Sequence, residues 1–225
     1  MYEKLSMSGT SLRAKIGRPK SKEKRERILK CATNLFLHYG FTDSSMDMIA
    51  KEAGVSKQTV YSHFNSKDEL YTAVIDLKCK QYSFDAESVE SDKRSLSDIL
   101  MDIAYQVVEL LQDPKVIAMY KIVISEASNS PHVAELFWRA GPLQSVETVA
   151  QIIRSHCLSE MSDAQARAIS SDFFNLLKGD FHMRSILQLP SQLSESQKRS
   201  ICERAHFQVL LMLDNISRMP CPRHI

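Results

Sequence analysis

Glycine is scarce in this chain: six residues in 225, no two of them adjacent. That argues against a glycine-rich loop of the kind that cradles nucleotide phosphates. Neither a GxSxG elbow nor an HExxH pair occurs, so the motif-borne hydrolase and zinc-peptidase sites have no support. The carboxylates are scattered and read as solvated helix faces. No catalytic residue, cofactor or metal is therefore expected. Five cysteines (Cys31, Cys79, Cys157, Cys202, Cys221) are an odd number at irregular spacing. They do not read as a disulfide framework and fit a reducing cytoplasm. No run approaches the ~18 apolar residues of a membrane span. The N-terminus lacks the apolar core of a secretory signal, so a cytoplasmic protein without a membrane partner is expected. The hydrophobic and charged fractions, 44% and 25%, are ordinary for a globular protein.

Charge is present but unevenly placed. Residues 1–30 hold ten Lys or Arg against three Glu, a net +7 within a chain whose formal total is +2. Residues 31–80 come to −1, and residues 81–225 to −4. A basic N-terminal end on a mildly acidic remainder is the electrostatic footprint of a nucleic-acid-binding head on a body that does not bind nucleic acid.

Next to the basic end lies the most informative stretch, residues 41–71, FTDSSMDMIAKEAGVSKQTVYSHFNSKDELY. Ser44-x-x-Asp47 predicts a capped helix start followed by an apolar face at Met46, Ile49 and Ala50. Gly54 breaks that helix, because glycine enters a left-handed turn cheaply. Ser56 caps a second short helix anchored by Val55, Val60 and Phe64, and Ser66-x-x-Glu69 opens another. Short helix, glycine turn, short polar-faced helix is the helix-turn-helix pattern, whose second helix fits the major groove. On that helix Gln58 can pair bidentately with adenine, Lys57 can reach guanine or phosphate, and Thr59 can touch a thymine methyl. Tyr61, His63 and Lys67 suit phosphates, which set register. Ser44 and Ser45 lie at a helix N-terminus, where amides and dipole favour anions.

The segment IAKEAGVSKQTVYSHFNSKDEL, with RERILKCATNLFLHYGFTDSSMDMIA leading into it, resembles the DNA-binding signature of the TetR/AcrR transcriptional regulators. The resemblance covers roughly residues 21–80. Residues 113–142, DPKVIAMYKIVISEASNSPHVAELFWRAGP, are similar to a subgroup related to efflux regulators. It implies an all-α fold of about nine helices: a three-helix head over residues 21–80 and a helical ligand-binding and dimerisation body over residues 81–225. It also implies a homodimer that represses by occupying a palindromic DNA operator and that a small hydrophobic or amphipathic effector releases. The alternatives are an activator, or a regulator answering to a protein partner. Residues 1–20 read as a flexible basic arm. Within it Arg18 and Lys20 either follow a minor groove, as Arg does in narrow A·T tracts, or belong to a solvated tail.

Helical spacing continues throughout. The first helix spans residues 22–39, with Gly40 as its C-cap, and the fourth carries Leu70, Val74 and Leu77. The body reads as helices over 96–111, 116–127, 130–138 and onward to 158 past Gly141-Pro142, then 162–189 and 194–218. The last two are rich in large apolar residues, among them Phe181, Phe207, Leu210 and Leu211. These either bury within the chain or form a dimeric four-helix bundle. Met101, Tyr105, Met119, Phe137, Trp138 and Phe174 are candidates for an effector cavity, against plain core packing. Cys202 and His206 share a helix face, but two ligands are too few for a structural metal site.

Overall fold

A computed structural model of the chain describes residues 22–80, 94–156 and 161–218. Arg18, Lys20, Cys157 and Cys221 lie outside the described residues. Within them every regular element is helical: α1 (Lys22–Tyr39), α2 (Met46–Glu52), α3 (Lys57–His63), α4 (Lys67–Lys80), α5 (Leu96–Gln112), α6 (Pro114–Glu126), α7 (Pro131–Trp138), a π turn (Arg139–Leu143), α8 (Gln144–His156), α9 (Asp163–Ile186) and α10 (Glu195–Arg218).

The first helix buries Ile28, Leu29, Ala32 and Phe36 along one stripe and stops at Gly40, whose φ is +79°. The next helix begins one residue later than its sequence motif suggests. Ser45 is the N-cap, its hydroxyl oxygen accepting the Met48 amide at 3.2 Å. Ser44 is buried and donates to the Gly40 carbonyl at 2.6 Å. That register turns Met46, Ile49 and Ala50 into the core. Gly54 closes the helix in a left-handed turn, with its own amide on Lys51 O and that of Val55 on Ala50 O, the paired bonds of a Schellman stop.

Two apolar cores form among the described residues. One joins α5, α8, α9 and α10 around Leu100, Ile103, Ile153, Phe173, Leu177 and Val209. The other joins α1–α4 and continues into α6 and α7 through Met119, Val123 and Val133. Around it Phe36, Phe41 and Tyr71 make mutual ring contacts at 5.0–5.9 Å. Because α4 is covered on two sides, it buries Leu70, Tyr71, Val74 and Ile75 and leaves Leu77 exposed, a correction to the single stripe expected of it. Polar links cross the same seam. His132 Nε2 lies 2.7 Å from Asp68, Lys78 pairs with Asp113, and Tyr71 donates to Met119 Sδ.

Two breaks shape the body. Pro142 has no amide to donate, and the chain passes it through the π turn, the form in which helices absorb such an interruption. There Gly141 approaches α4 so closely that a Cβ would sit 3.3 Å from Ile75 and 3.5 Å from Cys79. The long helix read over 162–189 is α9, opened by a Ser162–Gln165 capping box, but it is not continuous. Gly179 adopts φ 51°, ψ −164°, a conformation essentially reserved for glycine.

Candidate nucleic-acid interface and an apolar cavity

α3 offers its outer face because its inner one is committed. Val60 and Phe64 are fully buried, whereas Lys57, Gln58 and Tyr61 are exposed. Ser56 caps the helix, accepting the Thr59 amide at 3.2 Å, and its hydroxyl also meets Thr59 Oγ1 at 2.8 Å. Thr59 is thus half-buried with its hydroxyl partnered and its methyl left for contact. His63 is half-buried against Phe64. Lys57 Nζ lies 2.8 Å from Asp47 on α2. The hydrogen bond and charge of that carboxylate raise the ammonium's pKa. Both side chains are more than half exposed, so the pair contributes little to stability and opens readily to a stronger anion.

Two expected phosphate anchors have other partners. Lys67 donates to the carbonyls of Phe41 at 2.8 Å and Ser44 at 2.9 Å, and its ammonium sits 4.2 Å from the centre of the Phe41 ring. Burial lowers its pKa, against the opposing pull of Asp68, Glu126 and Asp43. It ties down the loop between α1 and α2. Ser44, buried and bonded to Gly40, is likewise part of that loop's interior. Ser45 remains half-buried at the start of α2 as its cap. A residue the sequence reading missed is Arg25, exposed on α1, whose guanidinium stands 5.0 Å over the Phe64 ring. Only the approach of α1 to the end of α3 reveals it.

A cavity of about 130 Å³ lies where α4 meets the body. Val74, Ile75, Lys78 and Cys79 of α4 and Thr33 and Leu37 of α1 form one side. Val107, Met119, Tyr120, Phe137, Trp138 and Phe174 from the body helices line the rest. Of the cavity candidates, Met119, Phe137, Trp138 and Phe174 are brought together here. Met101 and Tyr105 are not: both pack on the body core instead. Sequence reasoning missed Tyr120, Cys79 and Lys178, which no periodicity distinguishes from core or surface. Burial, aided by Cys79, pushes the Tyr120 phenol up to about 12, and burial, aided by Asp76, pushes the Cys79 thiol up to about 11. Both stay protonated donors at neutral pH. Burial lowers the pKa of Lys178.

The apolar residues expected at a dimer seam divide. Phe181 is buried within its own chain, a correction to its expected place at the seam: past the kink at Gly179 it packs into the body core. Phe207 at 61% and Leu211 at 41% exposure, with Leu176, Met183 and Leu187 of the α9 region, present an uncovered apolar face, and Leu210 is half-buried beside it. Cys202 is fully buried, its thiol pushed up to about 11 chiefly by burial. His206 meets Ser97 Oγ at 2.9 Å.

Residues 28–74 match the model for "Bacterial regulatory proteins, tetR family", and residues 98–212 match that for "AefR-like transcriptional repressor, C-terminal domain". Over 55 residues the chain is 44% identical to the uncharacterized HTH-type transcriptional regulator TtgW of Pseudomonas putida, a stretch covering 24% of this chain and 41% of that one. Over 53 residues it is 47% identical to the HTH-type transcriptional activator FasR of Mycolicibacterium smegmatis, covering 24% of each. The chain thus spans less than half the length of these curated relatives. Among solved structures, the flavonoid-responsive regulator FrrA superposes with a TM-score of 0.62 at 30% identity, covering 85% of this chain and 97% of that one. No helix among the described residues is long and apolar enough to cross a membrane.

Proposed function

The chain belongs to the tetR family of bacterial regulatory proteins, a family of helix-turn-helix transcriptional regulators, and from that membership we propose that it is a dimeric repressor released from its operator by a small molecule. The observation that carries the reading is the outer face of α3. Lys57, Gln58 and Tyr61 stand exposed in a row over a helix anchored by Val60 and Phe64. Gln58 reads a base edge, Lys57 exchanges Asp47 for guanine or phosphate, and the Thr59 methyl meets a thymine. Tyr61, His63 and Ser45 hold the backbone, and Arg18 and Lys20 of the N-terminal arm add charge along the groove.

Residues 21–80 form the DNA-binding unit and residues 81–225 the effector-binding and dimerisation unit. Two copies joined through Phe207, Leu210 and Leu211 would set two α3 helices on paired half-sites, as two-fold symmetry requires. The cavity supports a hydrophobic or amphipathic effector, since Met119, Phe137, Trp138 and Phe174 line it. α4 supplies part of its wall, so an occupant that fits the released form better shifts α4 and with it α3. FrrA's name, a flavonoid-responsive regulator, supports ligand control. FasR's name, an activator, supports a second reading in which the same head recruits rather than blocks, decided by where the operator lies relative to the promoter.

Fluorescence anisotropy against the DNA upstream of the protein's own gene, with an unrelated duplex as control across a salt series, tests the reading. Tight, preferential binding with a steep salt slope is expected. Equally weak binding to both duplexes at every salt concentration overturns autoregulation through that DNA.

A further inference from the structure

Charge in the cavity wall is one-sided. Three lysines line it and no carboxylate does. Lys78 is neutralised by Asp113, whose side chain is 11% exposed, and Lys115 is exposed to solvent. Lys178 differs from both. It is half-buried, and burial lowers its pKa. No carboxylate pairs with it among the described residues. A cation withdrawn from water without an anion is unfavourable. Beside it stands a second unsatisfied group: His182 is 7% exposed, its Nδ1 is buried without a hydrogen-bond partner, and it feels the charge of Lys178. The His182 ring rests edge-on against Tyr120, 4.8 Å between centres, and Tyr120 lines the cavity. Tyr120 in turn meets Phe137 edge-on at 4.9 Å. The cavity wall thus combines a group of aromatic rings with a cation lacking a counter-ion among the described residues.

Resting on the effector reading above, we propose that this cavity takes an aromatic acid, a planar apolar body bearing one carboxylate or acidic phenol, with its anionic oxygen paired to Lys178. The aromatic body lies among Tyr120, Phe137, Trp138 and Phe174, where offset and edge-on ring contacts add to burial. The anion completes the electrostatics of Lys178. The absence of any lining carboxylate selects against organic cations, which would meet the unpaired Lys178 and find no carboxylate in the wall to balance their charge. Without such pairing, Lys178 would only lay its methylene stem along the wall and keep its ammonium in water, and a ligand's charge would not matter.

The test compares 2-naphthoate with methyl 2-naphthoate, equal in ring system and differing in charge, by titration calorimetry on the full chain. Wild type should bind the acid at least tenfold more tightly than the ester. Lys178→Met, which keeps the stem and removes the charge, should abolish that preference while leaving ester binding within about twofold, and Lys178→Arg should retain most of it. Equal affinity for acid and ester in wild type overturns the proposal without reference to any variant. A preference surviving in Lys178→Met overturns the role of that residue. Binding of neither compound overturns the aromatic-acid assignment. Operator anisotropy on the same preparations reports separately whether the DNA-binding reading stands.

Discussion

At the scale of single residues, the roles proposed for α3 separate base reading from backbone holding. Gln58 is an exposed amide able to match adenine in two bonds, whereas Tyr61 carries one hydroxyl on an exposed ring. Gln58→Ala should therefore flatten preference at one or two base pairs, by roughly 1–3 kcal/mol. Tyr61→Ala should weaken all duplexes about equally. Anisotropy against a panel of single-base operator variants separates the two, and a uniform loss in both would refute the division of roles. A second residue makes stability depend on pH. Burial first, then the charge of Lys178, lowers the His182 pKa from 6.5 to about 4, against a raising contribution from the Leu111 backbone. Between those values the unfolded chain holds a proton that the folded chain does not, so stability rises with pH across this window. The contribution is fully present above about pH 6.5 and is lost as pH falls toward 4, on the order of 3 kcal/mol in all. Thermal melts of wild type and His182→Gln from pH 7 to 4 should converge on acidification. Parallel curves would show that His182 does not titrate as described.

At the scale of elements, the loop between α1 and α2 is where the head is fastened to α6. Gly40 has φ +79°, and a Cβ there would lie 2.1 Å from Glu126 Oε1, the oxygen that faces the Thr42 amide at 3.5 Å. Gly54 has φ +61° with nothing within 4 Å of such a Cβ. Gly54→Ala thus reports backbone strain alone, roughly 1–2 kcal/mol, while Gly40→Ala adds displacement of Glu126. Denaturant melts should show Gly40→Ala as the more damaging change, and removing the carboxylate by Glu126→Ala should bring the two to similar values. Equal losses in the wild-type background would mean that Glu126 swings aside freely. The cap of α2 illustrates what was and was not legible here. Two adjacent serines both satisfy the local pattern, and sequence alone favours Ser44. The choice falls on Ser45 because Met46 must then enter the core and the Ser44 hydroxyl can close onto Gly40. Likewise a lysine one residue after a helix cap reads as a phosphate anchor. That Lys67 instead holds the carbonyls of Phe41 and Ser44 depends on a loop more than twenty residues away in sequence.

At the scale of the whole molecule, the unsatisfied feature is the apolar face of α9 and α10. Phe207 is 61% exposed and so contributes little to the fold of one chain, yet it stands at the centre of the proposed dimer seam. Phe207→Glu should leave the melting temperature of a dilute sample nearly unchanged, convert the dimer to monomer in sedimentation velocity, and weaken operator binding at least tenfold through loss of the second half-site. A variant that still sediments as a dimer would place the seam elsewhere.

The helical class, the helix-turn-helix with its glycine turn, and the outward residues of α3 are written locally. Periodicity, caps and glycine positions act over three to seven residues, and these the sequence by itself determined. The cavity is a different matter. Thr33, Val74, Met119, Trp138 and Lys178 become neighbours only when α1, α4, α6, α7 and α9 converge, and the outcome turns on the π turn at Pro142 and the kink at Gly179. Which aromatics line a space rather than fill a core, which lysine is left without an anion, and which apolar residues remain uncovered depend on long-range packing, where surface is hidden by partners that no local pattern names. Those choices only the tertiary structure decided.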